Sequence, residues 1–350
     1  MGNRELGSEF NLSLEKLTKK KNNVFQYLSP YTYMACFDSG RSALKHLASF
    51  LMEDEEILLP EFICESVINC FNKVNFYKVN KDFSIDVDDL KEKIGNKTKA
   101  IFLMHYFGHI QPNDSLEAIA DIADENDLLI IEDTTHSIFS ASSTIGDYQI
   151  CSIRKWIPIS GGGFLYSKTD KLNLFWNLKY SVSTNNRRTY GMVLKDMFLR
   201  QNYDFNEQYR RIFEDCERIL DEQKEIYKMS DFSSFIAECV DVEELRQIRI
   251  KNYEMLKKSV TPAISLENGE CPLVLPIRVK SRNKLRAYLM DNRIYCAVHW
   301  PCDNFQPENR LFARECANHL ISLPIDQRYN DDDMYYLIEV LEQYGELELC

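Results

Sequence analysis

The stretch AIFLMHYFGHIQPNDSLEAIADIADENDLLIIED, residues 100–133, decides the fold of this 350-residue chain. Residues 100–108 form a continuous apolar run, as in a strand that is buried on both faces. Apolar residues then recur at helical spacing over residues 116–123, and residues 128–133 return to a strand pattern. A strand, a helix and a second strand in this order predict a unit of parallel sheet with a crossover helix.

The same alternation continues toward the N-terminus. Strand-like runs occupy residues 56–60 and 75–79, and helical patterns occupy residues 40–51, 64–71 and 86–94. Repeated units of this kind predict an α/β fold, with a mostly parallel sheet covered by helices. Ligands in such sheets bind beyond the carboxyl ends of the strands, which is where Asp133 falls.

The C-terminal part predicts a second, smaller α+β domain. One long helix is expected from about residue 232 to residue 260, linking the large domain to the C-terminal one. Strands are expected near residues 273–279 and 294–300. A last helix over residues 331–344 begins with three acids, which suit the positive end of the helix dipole.

Composition excludes several classes of protein. The formal net charge of −12 argues against a nucleic-acid partner, because phosphate binding needs a basic surface. No apolar window is long enough for a membrane helix, and no signal core is evident, so we expect no membrane partner. Eleven cysteines without a CxxC pair indicate reduced thiols in the cytoplasm rather than a disulfide framework.

Asp133 and Lys155 carry the strongest chemical signal. Asp133 ends a buried strand, and Lys155 precedes a glycine cluster at residues 161–163. Pyridoxal phosphate needs a lysine for its Schiff base and an acid beside its pyridinium nitrogen. The alternatives are a turn acid and a surface lysine. The apolar neighbours of Lys155 favour the cofactor, and His136 would then face its phenolic oxygen.

Two serine-containing motifs are candidates for phosphate binding. Ser152 stands three residues before Lys155, where its hydroxyl can donate to a phosphate. The same S-x-x-K spacing occurs in penicillin-binding enzymes, but the S-D-N and K-T-G elements of those enzymes are not found. The segment Ser39-Gly40-Arg41-Ser42 opens a helix and resembles an anion site, although a simple cap by Ser39 with a solvated Arg41 is the alternative.

Phe62 and the histidines allow weaker hypotheses. Phe62 follows a strand end and could stack on the cofactor ring or belong to the core. His105 and His109 flank a strand end, but no H-E-x-x-H motif or cysteine pair supports a metal site, so none is expected.

In this order, the motifs resemble the DegT/DnrJ/StrS family of sugar aminotransferases, which are fold-type-I pyridoxal-phosphate enzymes. The resemblance runs over nearly the whole chain. It is carried by DSGRSAL (38–44), IIEDTTHS (130–137), GDYQICSIRKWIPISGGGFL (146–165), YKMSDFSSFIA (227–237), AVHWP (297–301) and ISLPIDQRYNDDDM (321–334).

The resemblance implies a role for each candidate residue. Lys155 becomes the Schiff-base lysine and Asp133 the partner of the pyridinium nitrogen. His136 takes the place of the family's glutamine near the phenolic oxygen. The remaining assignments are the phosphate region for Gly40, Arg41, Ser42 and Ser152, ring stacking for Phe62, and substrate contact for His299.

The resemblance also implies an architecture. We expect an N-terminal segment (residues 1–30) that packs on the small domain. A large cofactor-binding domain (31–245) and a small C-terminal domain (246–350) follow. A homodimer with active sites at its interface is implied as well.

The chain departs from the family around the phosphate. Arg41 replaces the usual threonine, and the acidic residue of the family's G-E-G-G is absent from residues 160–163. Two residues are missing between Ser152 and Lys155. The asparagine that a neighbouring subunit usually lends to the phosphate aligns with Ile226. Our hypothesis is that Arg41 supplies the contact which this asparagine would have made.

The sequence predicts a cytoplasmic aminotransferase that uses pyridoxal phosphate. It would move an amino group from an amino acid, with glutamate as the expected donor, to a keto sugar linked to a nucleotide. Surface polysaccharide or amino-sugar biosynthesis is the expected setting. The alternatives are a decarboxylase or lyase with the same cofactor, a transaminase for a small keto compound, and a degenerate homologue without catalysis.

Overall fold

A computed structural model describes residues 3–15, 17–141, 144–175, 181–182, 186–201, 203–301 and 310–345. Strands and helices alternate in its first half, as predicted. The strands are β1 (Leu6–Gly7), β2 (Tyr33–Phe37), β3 (Glu56–Pro60), β4 (Val74–Tyr77), β5 (Thr98–Met104), β6 (Leu129–Asp133), β7 (Tyr148–Ser152), β8 (Gly163–Ser167), β9 (Ser181–Val182), β10 (Tyr227–Lys228), β11 (Leu275–Arg278), β12 (Ile294–Tyr295) and β13 (Leu320–Leu323). The helices are α1 (Val24–Tyr27), α2 (Gly40–Ala48), α3 (Glu65–Ile68), α4 (Val87–Lys93), α5 (Asn113–Glu125), α6 (Arg187–Gln201), α7 (Asn206–Glu222), α8 (Asp231–Glu238), α9 (Val242–Leu256), α10 (Arg282–Asp291), α11 (Leu311–His319) and α12 (Asp331–Tyr344).

A nine-stranded mixed sheet organises the large part of the molecule. Its strand order is β4-β3-β5-β6-β7-β8-β2-β10-β9, and the run from β4 to β7 is parallel. In β5 the side chains of Ala100 and Phe102 enter one apolar cluster, while Ile101 and Leu103 enter another. The strand is therefore buried on both faces, which confirms the predicted α/β fold.

The strand predicted over residues 100–108 ends earlier, at Met104. Tyr106 pairs with His109 in a tight turn, and both Phe107 (φ +59°) and Gly108 (φ +111°) adopt left-handed backbone. A side chain at Gly108 would also meet the carbonyl oxygen of Cys271 at 2.3 Å. The apolar run therefore includes a turn that is buried with the strand.

The single long helix predicted from about residue 232 to residue 260 is wrong. The chain forms two helices instead, because α8 ends at Glu238 and α9 begins at Val242. The Asp241 side chain accepts the backbone N–H groups of Glu243 and Glu244 at 3.1 and 3.2 Å and so caps the second helix. Asp241 followed by Glu244 is the sequence signal for that start.

The C-terminal part builds its own small sheets. Strands β11 and β13 are antiparallel, and β12 pairs in parallel with β1 from the N-terminal segment. Leu6 of β1 packs in the apolar cluster of this part, whereas Phe10 and Val24 pack in a cluster with strands of the large sheet. The domain boundaries at residues 30 and 245 remain predictions.

The start of α2 lies against the strands that carry the candidate site. A Cβ on Gly163, the first residue of β8, would lie 1.9 Å from the carbonyl oxygen of Ser39 and 2.6 Å from the nitrogen of Gly40. The backbone of β8 therefore touches the helix start, and any side chain at Gly163 would push the two apart.

We predict that Gly163→Ala lowers the free energy of unfolding by about 1–3 kcal/mol, since the new methyl group overlaps backbone that cannot move away cheaply. Urea unfolding of the purified protein measures this change. Gly95→Ala is the matched control, because a Cβ at Gly95 meets nothing within 4 Å, and it should stay within about 1 kcal/mol of the wild type. Equal stability of the two variants would contradict the prediction.

Candidate active site

A cavity of about 320 Å³, called here the first cavity, opens where β6 and β7 end and α2 begins. Parallel strands place their carboxyl ends at this edge of the sheet, and the start of α2 faces them. Six of the predicted site residues line the cavity together: Gly40, Arg41, Asp133, Ser152, Lys155 and His299. Ser42, Phe62 and His136 do not line it.

Asp133 is the last residue of β6 and is 5% exposed. The backbone N–H of Thr135 donates to its carboxylate at 2.8 Å. Burial raises the pKa of Asp133, although the hydrogen bonds from Thr135 and the charge of Lys155 act in the opposite direction. Within the described residues no cation lies in ion-pair contact with this carboxylate, so it is available for a positively charged group of a ligand.

Lys155 ends a short 3₁₀ turn (Ile153–Lys155) that follows β7. Its side chain is half-buried, and its amine makes no hydrogen bond or ion pair with the residues that the structure describes. The next residue, Trp156, is fully buried, and its indole N–H donates to the carbonyl oxygen of Thr135 at 2.7 Å. This bond holds the 3₁₀ turn that carries Lys155 against the end of β6, and Lys155 and Asp133 therefore line the same cavity.

Arg154 and Glu217 form another part of the wall. The Arg154 guanidinium donates to the Glu217 carboxylate at 2.8 and 3.4 Å, and Arg188 contacts the same carboxylate. Burial raises the pKa of Glu217, but the two arginines outweigh it and lower the pKa to about 2. The wall beside Lys155 therefore carries a fixed carboxylate whose charge is matched by arginine.

His136 lies behind the cavity wall and is fully buried. Its Nδ1 accepts the backbone N–H of Phe107 at 3.4 Å, whereas its Nε2 has no hydrogen-bond partner among the described residues. Burial and the neighbouring Lys155 hold the pKa of His136 well below its usual range, so the ring is neutral. With Nδ1 as acceptor, the neutral ring carries its proton on Nε2 as an unused donor.

The start of α2 differs from prediction at Ser42. The Ser39 hydroxyl accepts the backbone N–H of Ser42 at 3.1 Å, which is a helix cap. The Ser42 hydroxyl donates to Asp38 at 2.6 Å and is 1% exposed, so it serves the core rather than the cavity. Arg41 does reach the cavity, and its Nη1 lies 2.7 Å from Oδ1 of Asp221.

Phe62 lies in the core and not on the wall of the first cavity. It is 1% exposed and is enclosed by the rings of Phe83, Tyr106, Phe107 and Phe312, so it is a core residue. Trp300 lies between it and the site, because Trp300 lines the first cavity and its ring centroid is 4.9 Å from that of Phe62. Trp300 directly follows His299 in AVHWP, and this adjacency is the signal that identifies it.

His299 joins the first cavity to a second cavity of about 310 Å³, which reaches the small sheets. Lys155 and His299 line both cavities, and Ser322 and Tyr295 line the second. The Nδ1 atom of His299 lies 2.8 Å from the Ser322 hydroxyl oxygen. Burial and the charge of Lys155 lower the pKa of His299 to about 3, so this ring is neutral in ordinary buffers.

The two histidines that invited a metal interpretation are paired with acids. His105 lies 2.7 Å from Glu132, and His109 lies 3.1 Å from Glu270. Across the described ranges no group of three or more metal-binding side chains comes together. None of the helices in those ranges is long and apolar enough to cross a membrane.

Residues 21–159 match the DegT/DnrJ/EryC1/StrS aminotransferase family, which confirms the family resemblance predicted from the motifs. The dTDP-3-amino-3,6-dideoxy-alpha-D-galactopyranose transaminase of Aneurinibacillus thermoaerophilus is 22% identical over 75% of this chain and 70% of its own. The GDP-perosamine synthase of Escherichia coli O157:H7 is 28% identical over 44% of this chain and 45% of its own, so that match spans less than half of either protein. An aspartate aminotransferase of Pyrococcus abyssi is 32% identical over 44% of this chain and 41% of its own.

Solved structures share the fold over nearly the whole chain. The structure of NtdA from Bacillus subtilis with bound PMP has a TM-score of 0.68 at 15% identity and covers 96% of this chain and 78% of its own. The sugar aminotransferase CalS13 from Micromonospora echinospora has a TM-score of 0.65 at 16% identity and covers 97% and 99%. These likenesses confirm the predicted fold.

We predict that His299 makes the protein less stable in acid. Its pKa is about 3 in the folded chain and about 6.5 in the unfolded chain, so between these values only the unfolded chain binds the proton. The stability it contributes is therefore present above pH 6.5 and is lost as the pH falls toward 3. When the pH is lowered from 7 to 5, the free energy of unfolding, measured with urea, should fall by about 2 kcal/mol less in His299→Gln than in the wild type.

His319→Gln, outside both cavities, serves as the control and should follow the wild type. If the free energy of unfolding falls equally in the wild type and in His299→Gln between pH 7 and pH 5, the pKa of His299 is not lowered.

Proposed function

We propose that this chain, whose residues 21–159 belong to the DegT/DnrJ/EryC1/StrS aminotransferase family, is a pyridoxal-phosphate-dependent aminotransferase acting on a keto sugar. One observation carries the proposal: Lys155 and the buried Asp133 share a cavity, and neither the amine nor the carboxylate is ion-paired with any residue that the structure describes. A lysine and an acid in this arrangement are the two groups that the cofactor requires from a protein.

The residues present fit each polar group of the cofactor. Asp133 suits the protonated ring nitrogen, because a positive partner offsets the cost of burying its carboxylate. His136 carries an Nε2–H donor of the kind that suits the phenolic oxygen, but its ring lies behind the wall of the first cavity, so this contact stays a prediction. Gly40, Arg41 and Ser152 suit the phosphate, since a helix start and a guanidinium both favour an anion.

When bound, pyridoxal phosphate supplies a carbonyl carbon for amines and a ring that withdraws electrons. Lys155 would hold the cofactor through its Nζ atom. When not bonded to the cofactor, the same Nζ atom would be placed to take a proton from the substrate carbon and return it. The neutral rings of His136 and His299 beside it add no charge that would compete for this proton.

The second cavity provides space for the substrate beyond Lys155. Its wall includes the hydroxyl groups of Ser322 and Tyr295 and the ring of Phe10, which suit a sugar. Relatives whose names contain dTDP- and GDP-linked sugars support a nucleotide-linked acceptor. Glutamate as donor, a homodimer with interface sites, a cytoplasmic location and a role in surface polysaccharide or amino-sugar biosynthesis complete the proposal.

A second candidate is a transaminase for small keto acids. It is favoured by the similarity to an aspartate aminotransferase and to an aromatic-amino-acid aminotransferase of Thermococcus litoralis, at 30% identity over 38% of this chain. A screen with glutamate as donor separates the two functions. If the chain acts on keto sugars, 2-oxoglutarate should be released only when a keto sugar nucleotide is present. Release with a small keto acid as the sole acceptor favours the second candidate.

We predict that purified protein saturated with the cofactor is yellow and that borohydride fixes the cofactor to Lys155, as read by peptide mass spectrometry. Lys155→Ala should lose the fixed adduct and all transamination, because no other described lysine lines the first cavity. Exposed Lys168→Ala is the control and should keep both. An adduct of equal yield in Lys155→Ala would show that Lys155 is not the residue that binds the cofactor.

We predict that Arg41→Ala weakens binding of pyridoxal phosphate by about 10- to 100-fold, the typical value of a charge-assisted hydrogen bond. Binding of pyridoxal, which lacks the phosphate, should be unchanged. Titration of apoprotein by absorbance measures both ligands. The control is Arg218→Ala, which removes an exposed ion pair near the C-terminal end of α7 that does not line the first cavity. If Arg41→Ala affects both ligands equally, Arg41 does not serve the phosphate.

A further inference from the structure

We propose that Trp300 is the aromatic platform on which the cofactor ring lies. This role depends on the cofactor of the proposed function. Among the residues that the structure describes, Trp300 is the one phenylalanine, tyrosine or tryptophan side chain on the wall of the first cavity. Within the described part of the chain, a flat, conjugated ligand in that cavity has no second phenylalanine, tyrosine or tryptophan ring to stack on.

The end of β3 does not supply such a ring. After Pro60, the residues that line the cavity are Ile63 and Cys64, whereas Phe62 turns into the core. An aliphatic chain and a thiol can contact a ring but offer no π-face. The platform therefore comes from another part of the chain, the segment that joins β12 to α11.

Trp300 is held in place by other aromatic rings. Its ring is stacked on that of His136, with 5.4 Å between centroids and 20° between planes. Phe62 supports it from the core at 4.9 Å. With 9% of its surface exposed, Trp300 is fixed by packing, so little conformational freedom is lost when a ligand binds.

Trp300 borders two adjoining cavities. Trp300 lines the first cavity beside His299, and it also lines an adjoining surface cavity together with Arg41 and Asp221. It therefore shares a cavity wall both with Lys155 and with Arg41, the residue proposed for the phosphate.

The electrostatics favour an indole at this place. The face of an indole is electron-rich and attracts a positively charged ring, and tryptophan is the strongest of the aromatic residues in this respect. Asp133 keeps the pyridine nitrogen protonated, so the cofactor ring presents that positive charge. Trp300 and Asp133 therefore favour the same protonation state of the ligand.

The test separates a ring contact from a phosphate contact. Apoproteins of Trp300→Leu, Trp300→Phe and Phe312→Leu are titrated with pyridoxal phosphate and with pyridoxal. Phe312→Leu is the matched control, because Phe312 belongs to the same aromatic cluster but does not line the first cavity. Thermal unfolding of each apoprotein reports whether the variants are folded.

Trp300→Leu should weaken both ligands by about 3- to 10-fold relative to Phe312→Leu, and Trp300→Phe should recover most of the loss. Binding should also quench less tryptophan fluorescence in Trp300→Phe than in the wild type. Equal affinities of Trp300→Leu and Phe312→Leu overturn the proposal, as does a loss confined to pyridoxal phosphate. If Trp300→Leu does not fold, unchanged quenching in Trp300→Phe overturns it.

Failure of the proposed function has a different signature. In that case the wild-type protein itself would bind neither ligand at Lys155, and borohydride would fix nothing to that residue. If borohydride labels the wild type at Lys155 while Trp300→Leu binds the ligands as tightly as Phe312→Leu, the role of Trp300 is rejected. The proposed aminotransferase activity is then unaffected.

Discussion

The buried pair of His105 and Glu132 is the interaction on which the geometry of the site depends. His105 Nδ1 accepts the backbone N–H of Gln111 at 3.0 Å, and its Nε2 donates to Glu132 at 2.7 Å. The other oxygen of Glu132 accepts the N–H of Gly146 at 2.8 Å. One carboxylate therefore ties together the end of β5, the end of β6 and the loop that leads to β7. Because neighbouring residues of a strand point to opposite faces, this anchoring of Glu132 turns Asp133 toward the cavity.

Electrostatic pairing shapes the rest of the site. Helix α7 contributes two carboxylates one turn apart, Glu217 and Asp221, which meet Arg154 and Arg41 on the cavity wall. The arginines are thereby held in place without leaving a surplus of positive charge near Lys155. The amine of Lys155 forms no ion pair with a described residue, although Arg41 and Arg154 line the same cavity. Such an arrangement suits a residue that must both hold a ligand and carry a proton.

Much of this could be predicted from the sequence, since strand and helix patterns are local. The parallel core follows from those patterns, which also place Asp133 at the end of a predicted strand. Lys155 is identified by its motif, because strand β7 before it is not predicted. Phe62 and Ser42 could not be placed, because both stand beside true cavity residues. Only tertiary packing decides which side chain of neighbours turns inward, as the burial of Phe62 and the bond from Ser42 to Asp38 show. The helix break at Asp241 was encoded locally, by a cap that the apolar periodicity concealed.

Lys155 and His299 belong to the walls of both cavities, and this has a kinetic consequence. Because the second cavity is the proposed place for the substrate beside the one Lys155 amine, the donor and the acceptor of the amino group must occupy that cavity in turn. Each then excludes the other while it is bound. The rate should accordingly pass through a maximum when the concentration of either substrate is raised alone.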